Sequence, residues 1–154
     1  MAVFNFRKAG AAIAADTATV TFLSCLALTN RAVRTVEISA SGLGNASSAN
    51  EFQYAQGNAG TGALTAIAAF PANPLSTAAS GFTAGTTYAT AIPAVNAQAG
   101  IAFGVNANGG TYRWLAKTNF EIIAQQAIAG YQSLNWKVIS GTSTIAAHAL
   151  WEEL

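Results

Sequence analysis

Side chains suited to chemistry are few in this sequence and lie far apart. It has one histidine (His148), one cysteine (Cys25), one aspartate (Asp16) and five glutamates. Acid–base or nucleophilic catalysis needs such groups in pairs that tune one another. The sequence also lacks the Gly-x-Ser-x-Gly pattern that positions a nucleophilic serine. We therefore predict that the protein is not an enzyme and has no small-molecule substrate.

Each of these groups has a structural interpretation that the sequence favours. His148 lies in an alternating apolar run and is expected to be a hydrogen-bonded structural residue. Cys25 lies between Ser24 and Leu26 and is expected to be buried as a small hydrophobe, with no second cysteine for a disulfide. Adjacent residues of a strand point to opposite faces, so Glu152 and Glu153 do not form a metal site. No cofactor or metal is predicted.

Charge is scarce and unevenly distributed along the 154 residues. Charged residues make up 8% of the chain and the net charge is +1, against about 25% in an ordinary domain. So few cations argue against binding to nucleic acid or to anionic membranes, and no window of about 20 apolar residues predicts a membrane span. Residues 52–112 carry no charge at all. A sparsely charged surface promotes association, so we expect an assembly subunit whose contacts lie in residues 52–112.

The elements that must position these residues are β-strands. Alternating or β-branched runs bounded by turn residues predict eight strands: 3–7, 18–28, 32–39, 52–54, 100–105, 111–116, 134–139 and 144–151. The alanine-rich residues 63–70 predict one short helix. Eight short strands without strand–helix alternation indicate an antiparallel two-sheet β-sandwich, most simply a jelly roll, with an up-and-down barrel as the alternative.

Turn residues suggest how the strands connect. The link at residues 29–31 predicts a hairpin between the second and third strands, and Asn-Gly within residues 106–110 predicts another. We expect one domain, 1–154, with an N-terminal arm at 1–15 and a long loop excursion at 72–99. Trp114, Trp136 and Trp151 are expected to face the core.

Three stretches resemble small virion proteins of tailed bacteriophages: VEISASGLGNASSANEF (36–52), VNANGGTYRWLA (105–116) and SGTSTIAAHALWEEL (140–154). The resemblance is closest to capsid decoration, or cement, proteins that have a jelly-roll-like β-sandwich. The resemblance covers about the middle and C-terminal thirds of the chain. It lies in residue composition and short stretches of sequence, without a diagnostic motif. The long neutral segment 75–99 has no counterpart in it.

The resemblance implies a structural virion protein on the outer surface of the capsid. It implies binding to the major capsid protein and self-association, with a homotrimer as the expected state, so that neighbouring shell proteins are bridged and the head is stabilised. Alternatives are a carbohydrate- or receptor-binding module of a tail fibre or spike, or another head or tail protein. The residues expected at the interface are aromatic, apolar or cationic: Phe4, Phe6, Arg7, Phe70, Leu75, Phe82 and Tyr88.

Overall fold

The computed structural model describes residues 3–68, 70–72, 82–117 and 121–154. These residues form strands and turns without a helix, which confirms the all-β class. None of them belongs to a helix that could cross a membrane. The strands are β1 Val3–Ala12, β2 Val20–Ala27, β3 Ala32–Leu43, β4 Ala49–Gly57, β5 Leu64–Ile67, β6 Phe70–Pro71, β7 Phe82–Tyr88, β8 Val95–Asn106, β9 Asn108–Leu115, β10 Ile123–Gln125, β11 Ser133–Ser140 and β12 Thr144–Glu153.

The strands form two antiparallel six-stranded sheets. In the first sheet β3 is flanked on one side by β9 and β10 and on the other by β12, followed by β1 and β6. The second sheet has the order β5-β7-β2-β11-β4-β8. The two sheets pack face to face over one core, as in a β-sandwich.

Eight strands have the connectivity of a jelly roll. β1 pairs with β12 and β3 with β9 in the first sheet, while β2 pairs with β11 and β4 with β8 in the second. Early strands thus pair with late ones, and successive pairs alternate between the sheets, as in the jelly roll. These eight are the strands that the sequence predicts. The remaining strands β5, β6, β7 and β10 extend the sheet edges, so the total exceeds the predicted eight.

Two local predictions are wrong. The helix predicted at 63–70 does not form, because residues 64–67 are strand β5, which pairs with β7 at the edge of the second sheet and finds partners there for its backbone groups. Helix propensity is a weak preference that tertiary pairing overrides. The predicted hairpin of β2 and β3 does not form either, since β2 lies in the second sheet and β3 in the first.

The turn near Asn106 reverses the chain but joins different sheets. β8 ends at Asn106 and β9 begins at Asn108, and Gly109 has a φ of 75°. β8 lies in the second sheet and β9 in the first. The predicted hairpin pairing is therefore wrong, although Gly109 has the positive φ that an Asn-Gly turn requires. The chain crosses here over Gly42 of β3, where an added Cβ would lie 2.1 Å from the carbonyl oxygen of Asn106.

Two segments expected to be arm or loop contain strands. Within residues 1–15, β1 lies in the first sheet between β12 and β6. Within residues 72–99, β7 pairs with β2, and the start of β8 pairs with the end of β4. Residues 73–81 lie outside the described part of the chain.

Aromatic side chains join the two sheets across the core. Trp136 of the second sheet and Trp151 of the first are fully buried, as the sequence predicts, and Trp114 packs against the same core. The Tyr54 hydroxyl accepts a hydrogen bond from Trp151 Nε1 at 2.9 Å and shares one with the Thr35 hydroxyl at 2.7 Å. This polar node links β4 of the second sheet to β12 and β3 of the first.

The outer face of the second sheet is partly covered by the chain itself. Ser24, Ser133 and Asn135 alternate with core residues and so point away from the core, yet all three are buried. The Ser133 hydroxyl donates to the carbonyl of Asn58 at 2.5 Å, and Ser24 bonds the Tyr88 hydroxyl at 2.7 Å. We call the covering segments, residues 58–63 and 89–94, the strap. They bond to each other through backbone groups.

Candidate functional site

The outer face of the first sheet carries a different surface. Alternation is strict along β12, where buried residues alternate with partly exposed ones. Strand register then aligns the outward residues of neighbouring strands in rows across the sheet. Two adjacent rows, separated by two residues along each strand, form the candidate site. We call them the apolar row and the basic row.

The apolar row crosses five strands and is exposed at both ends. Register places its members side by side: Phe70 of β6, Asn5 of β1, Leu150 of β12, Glu37 of β3 and Leu115 of β9. The end residues are 64% and 48% exposed, respectively. Four inter-strand spacings of about 4.8 Å make the row about 19 Å long. The row is named for Phe70, Leu150 and Leu115. Asn5 and Glu37 between them are polar, so the exposed apolar side chains at the two ends are the contact points that the row offers to a partner.

The basic row lies next to the apolar row, two residues away along each strand. Arg7 pairs with His148, His148 with Ser39, and Ser39 with Arg113. Arg113 donates two hydrogen bonds to the Glu37 carboxylate, at 2.9 and 3.0 Å. Arg7 is exposed and forms no hydrogen bond or ion pair within the part of the chain that the structure describes. The row therefore contains one neutralised cation and one unpaired cation.

A trough lies beside the basic row. The next outward residues are small, Ala146, Ser41 and Thr111, and together with Ser39 they form a low floor between longer side chains. The trough has a volume of about 560 Å³, and Arg7, Arg113 and His148 also line it. Its lining therefore offers guanidinium, imidazole and hydroxyl groups. These groups can donate hydrogen bonds to an acceptor or anion that enters.

Charges around His148 oppose one another. Partial burial lowers the pKa of His148 below its usual value, the nearby Glu37 carboxylate raises it and Arg7 lowers it further. Hydrogen bonding to Arg113 holds the pKa of Glu37 below its ordinary range. The trough carries the positive charge of the exposed Arg7, while Arg113 is paired with Glu37.

The structure brings two of the predicted interface residues together. Arg7 and Phe70 both lie on the outer face of the first sheet, because Phe70 pairs with Asn5, two residues from Arg7 on β1. Phe4 and Phe6 face the opposite way and are buried, and Phe82 packs edge-on against Phe4 with ring centroids 5.2 Å apart.

Tyr88 is also buried, under the strap, and burial raises its pKa to about 12. Leu75 lies outside the described residues. The side chains of Phe4, Phe6, Phe82 and Tyr88 therefore build the interior of this chain and do not extend from its surface.

Sequence reasoning missed Leu115, Glu37 and the trough. The period of two along β12 and β9 places His148 on the face opposite Ala147 and Ala149, and Arg113 on the face opposite Trp114. The missing information was the pairing of β9 with β3 and of β12 with β1, which sets these residues side by side. No local motif in the sequence carries that register.

The groups considered for catalysis stay apart. Asp16 accepts hydrogen bonds from the Thr21 hydroxyl and the Val138 amide, at 2.7 and 3.1 Å, and burial raises its pKa. Cys25 is fully buried, which raises its pKa well above the usual value. Among the described residues no group of three or more His, Cys, Asp or Glu could hold a metal ion. The outer face of the first sheet is therefore the surface with the clearest capacity to bind.

No family model matches the chain, and no significant similarity to a curated protein or to a solved structure was found.

Proposed function

We propose that the protein is a structural virion subunit that decorates a phage capsid and docks on the shell through the outer face of the first sheet. The observation that carries the proposal is the apolar row, exposed at Phe70 and Leu115 and flanked by the unpaired Arg7. The strap covers part of the other outer face, whereas the first sheet presents this row in the open. The jelly-roll connectivity and the resemblance to decoration proteins support the proposal further.

A protein partner accounts for this face better than a glycan does. Sugars are commonly bound by stacking on exposed aromatic rings, which are amphipathic. Phe70 is the exposed aromatic ring of the row, and it lacks the polar group that Tyr or Trp would add. Trp136 and Trp151 are buried, and the Tyr112 ring stacks inward on Phe103 with centroids 4.0 Å apart. Exposed aliphatic side chains such as Leu115 instead favour contact with a protein. A glycan-binding tail-fibre module is therefore the weaker candidate.

Self-association is part of the proposal, and the edge of β8 is its expected location. β8 is twelve residues long, carries no charge and, among the described strands, pairs with β4 alone. A long neutral edge strand is a ready template for a strand of another copy, and no charge on β8 opposes such pairing. Adding lysine in the strand, A102K, should shift the protein toward monomer in sedimentation velocity, whereas A127K on a turn should not. A wild-type protein that stays monomeric at every concentration contradicts self-association.

Docking is tested by co-sedimentation of the purified protein with expanded, undecorated heads. We expect saturable binding by the wild-type protein and at least a tenfold loss of affinity for L115E. The matched control is I139E, since Ile139 lies on the second sheet and is 47% exposed, close to the 48% of Leu115. Wild-type protein that ignores the heads, or equal loss for both variants, contradicts docking through this face.

A further inference from the structure

We propose that the trough beside the basic row binds a carboxylate carried by an extended segment of the docking partner, with Arg7 as the cation that receives it. This inference rests on the proposed function and names the chemistry of the partner. In this arrangement an acidic side chain of the partner enters the trough. The partner's side chains next to that acid contact the apolar row.

Among the described residues of this face, Arg7 is the arginine without an acidic partner. Arg113 is satisfied by Glu37, and Arg34 is satisfied by Glu152 at 2.5 Å, so the arginines of this face other than Arg7 have acidic partners. Arg7 has none among the described residues, although it lies directly beside the trough. A guanidinium is planar and matches a carboxylate with two parallel hydrogen bonds. The Ser39, Ser41 and Thr111 hydroxyls add further donors below it.

The charge balance favours a carboxylate over a polyanion. Glu37 stands between His148 and Arg113 and repels additional negative charge that enters the trough. One unpaired cation compensates one negative charge, which suits a single carboxylate. Nucleic acids require several cations along the backbone, and the trough does not offer them.

The dimensions favour an extended segment. The apolar row is about 19 Å long, which an extended chain covers with about six residues at 3.3 Å each. Basic and apolar rows run in parallel, so a strand-like segment laid along them presents alternate side chains to the trough and to Phe70, Leu150 and Leu115. A partner segment that alternates an acid with apolar residues fits this surface.

The test uses purified protein and short blocked peptides, without any capsid, so its outcome is separate from that of the head-binding assay. The chain's single histidine borders the trough, and its ring signals in NMR report on that site. The probes are Ac-Leu-Glu-Leu-amide, the isosteric Ac-Leu-Gln-Leu-amide and inorganic phosphate.

We expect the Glu peptide to shift the His148 signals saturably and to bind about tenfold tighter than the Gln peptide. Binding of an anion also raises the pKa of His148, because it stabilises the imidazolium. R7Q should abolish the preference for the Glu peptide. K137Q, which removes a cation on the second sheet away from the trough, should preserve it. Equal binding of the two peptides, tighter binding of phosphate, or an unchanged preference in R7Q would overturn the proposal.

Discussion

Replacing Tyr54 by phenylalanine removes one oxygen atom from the interior between the two sheets and leaves the ring in place. The hydroxyl accepts from Trp151 Nε1 at 2.9 Å and bonds the Thr35 hydroxyl at 2.7 Å, and all three side chains are fully buried. Y54F therefore creates no large cavity, but it leaves the indole N–H without an acceptor. The protein should lose stability through hydrogen bonding alone.

The magnitude follows from the two bonds. A buried donor left unsatisfied costs about 1–3 kcal/mol, and a lost neutral hydrogen bond about 1 kcal/mol. The Thr35 hydroxyl can rotate toward another acceptor, which limits its share, so Y54F should lower the free energy of unfolding by about 2–3 kcal/mol. For a chain of this size that corresponds to a fall in Tm of about 5–10 °C.

Urea denaturation followed by tryptophan fluorescence measures the change, with an unaltered m-value as the check on two-state behaviour. The control is Y131F, because the Tyr131 hydroxyl accepts from Asn96 Nδ2 at an exposed site. It should change stability by less than about 0.5 kcal/mol. In the Y54F background, T35V should cost less than it does in the wild type. A Y54F effect as small as that of Y131F would refute the account of the node.

Three further predictions concern charge, pH and packing. R7Q should raise the pKa of His148 and E37Q should lower it, because Arg7 and Glu37 shift it in opposite directions; an NMR titration of the ring measures both. Burial raises the pKa of Tyr88 to about 12 against about 10 when unfolded, so its contribution is complete below pH 10 and is lost as the pH rises toward 12. Urea curves should show a shallower alkaline decline for Y88F. G42A should cost about 2–3 kcal/mol, since its Cβ would meet backbone 2.1 Å away.

Each of these has a result that contradicts it. Shifts of the His148 pKa in the same direction for both charge variants would show that the two groups do not act on the ring as placed. An alkaline decline identical in Y88F and wild type would mean that the phenol is not buried in solution. For packing, the control is G104A, because the atom nearest to its added Cβ is 3.6 Å away. If G42A and G104A are equally stable, the chain does not cross over β3 as described.

The sequence was informative where strands alternate or are bounded by turn residues. The period of two along β12 predicts that His148 faces outward and that Ala147, Ala149 and Trp151 face inward. The same kind of pattern locates all eight jelly-roll strands. The helix predicted at residues 63–70 was wrong. Alanine favours a helix locally, but pairing with β7 makes β5 a strand. Propensity is a local quantity, and strand pairing here joins residues far apart in the chain.

The candidate site depended on information that local patterns lack. Arg7 and Phe70 were both expected at an interface, but their proximity follows from the pairing of β6 with β1. Phe4 was expected beside them and faces the core, because a shift of one residue along a strand changes the face. The absence of charge in residues 52–112 predicted contacts there, and the strap now accounts for part of that segment, since it covers the second sheet within the chain.

The position of the protein on an intact particle tests docking through the first sheet most directly. Cryo-electron microscopy of particles that carry a labelled protein should show it on the outside of the head, with the outer face of the first sheet turned toward the shell. Leu115 and Phe70 should then be buried against major capsid protein. A protein located on the tail, or one whose first sheet faces solvent, would contradict the account.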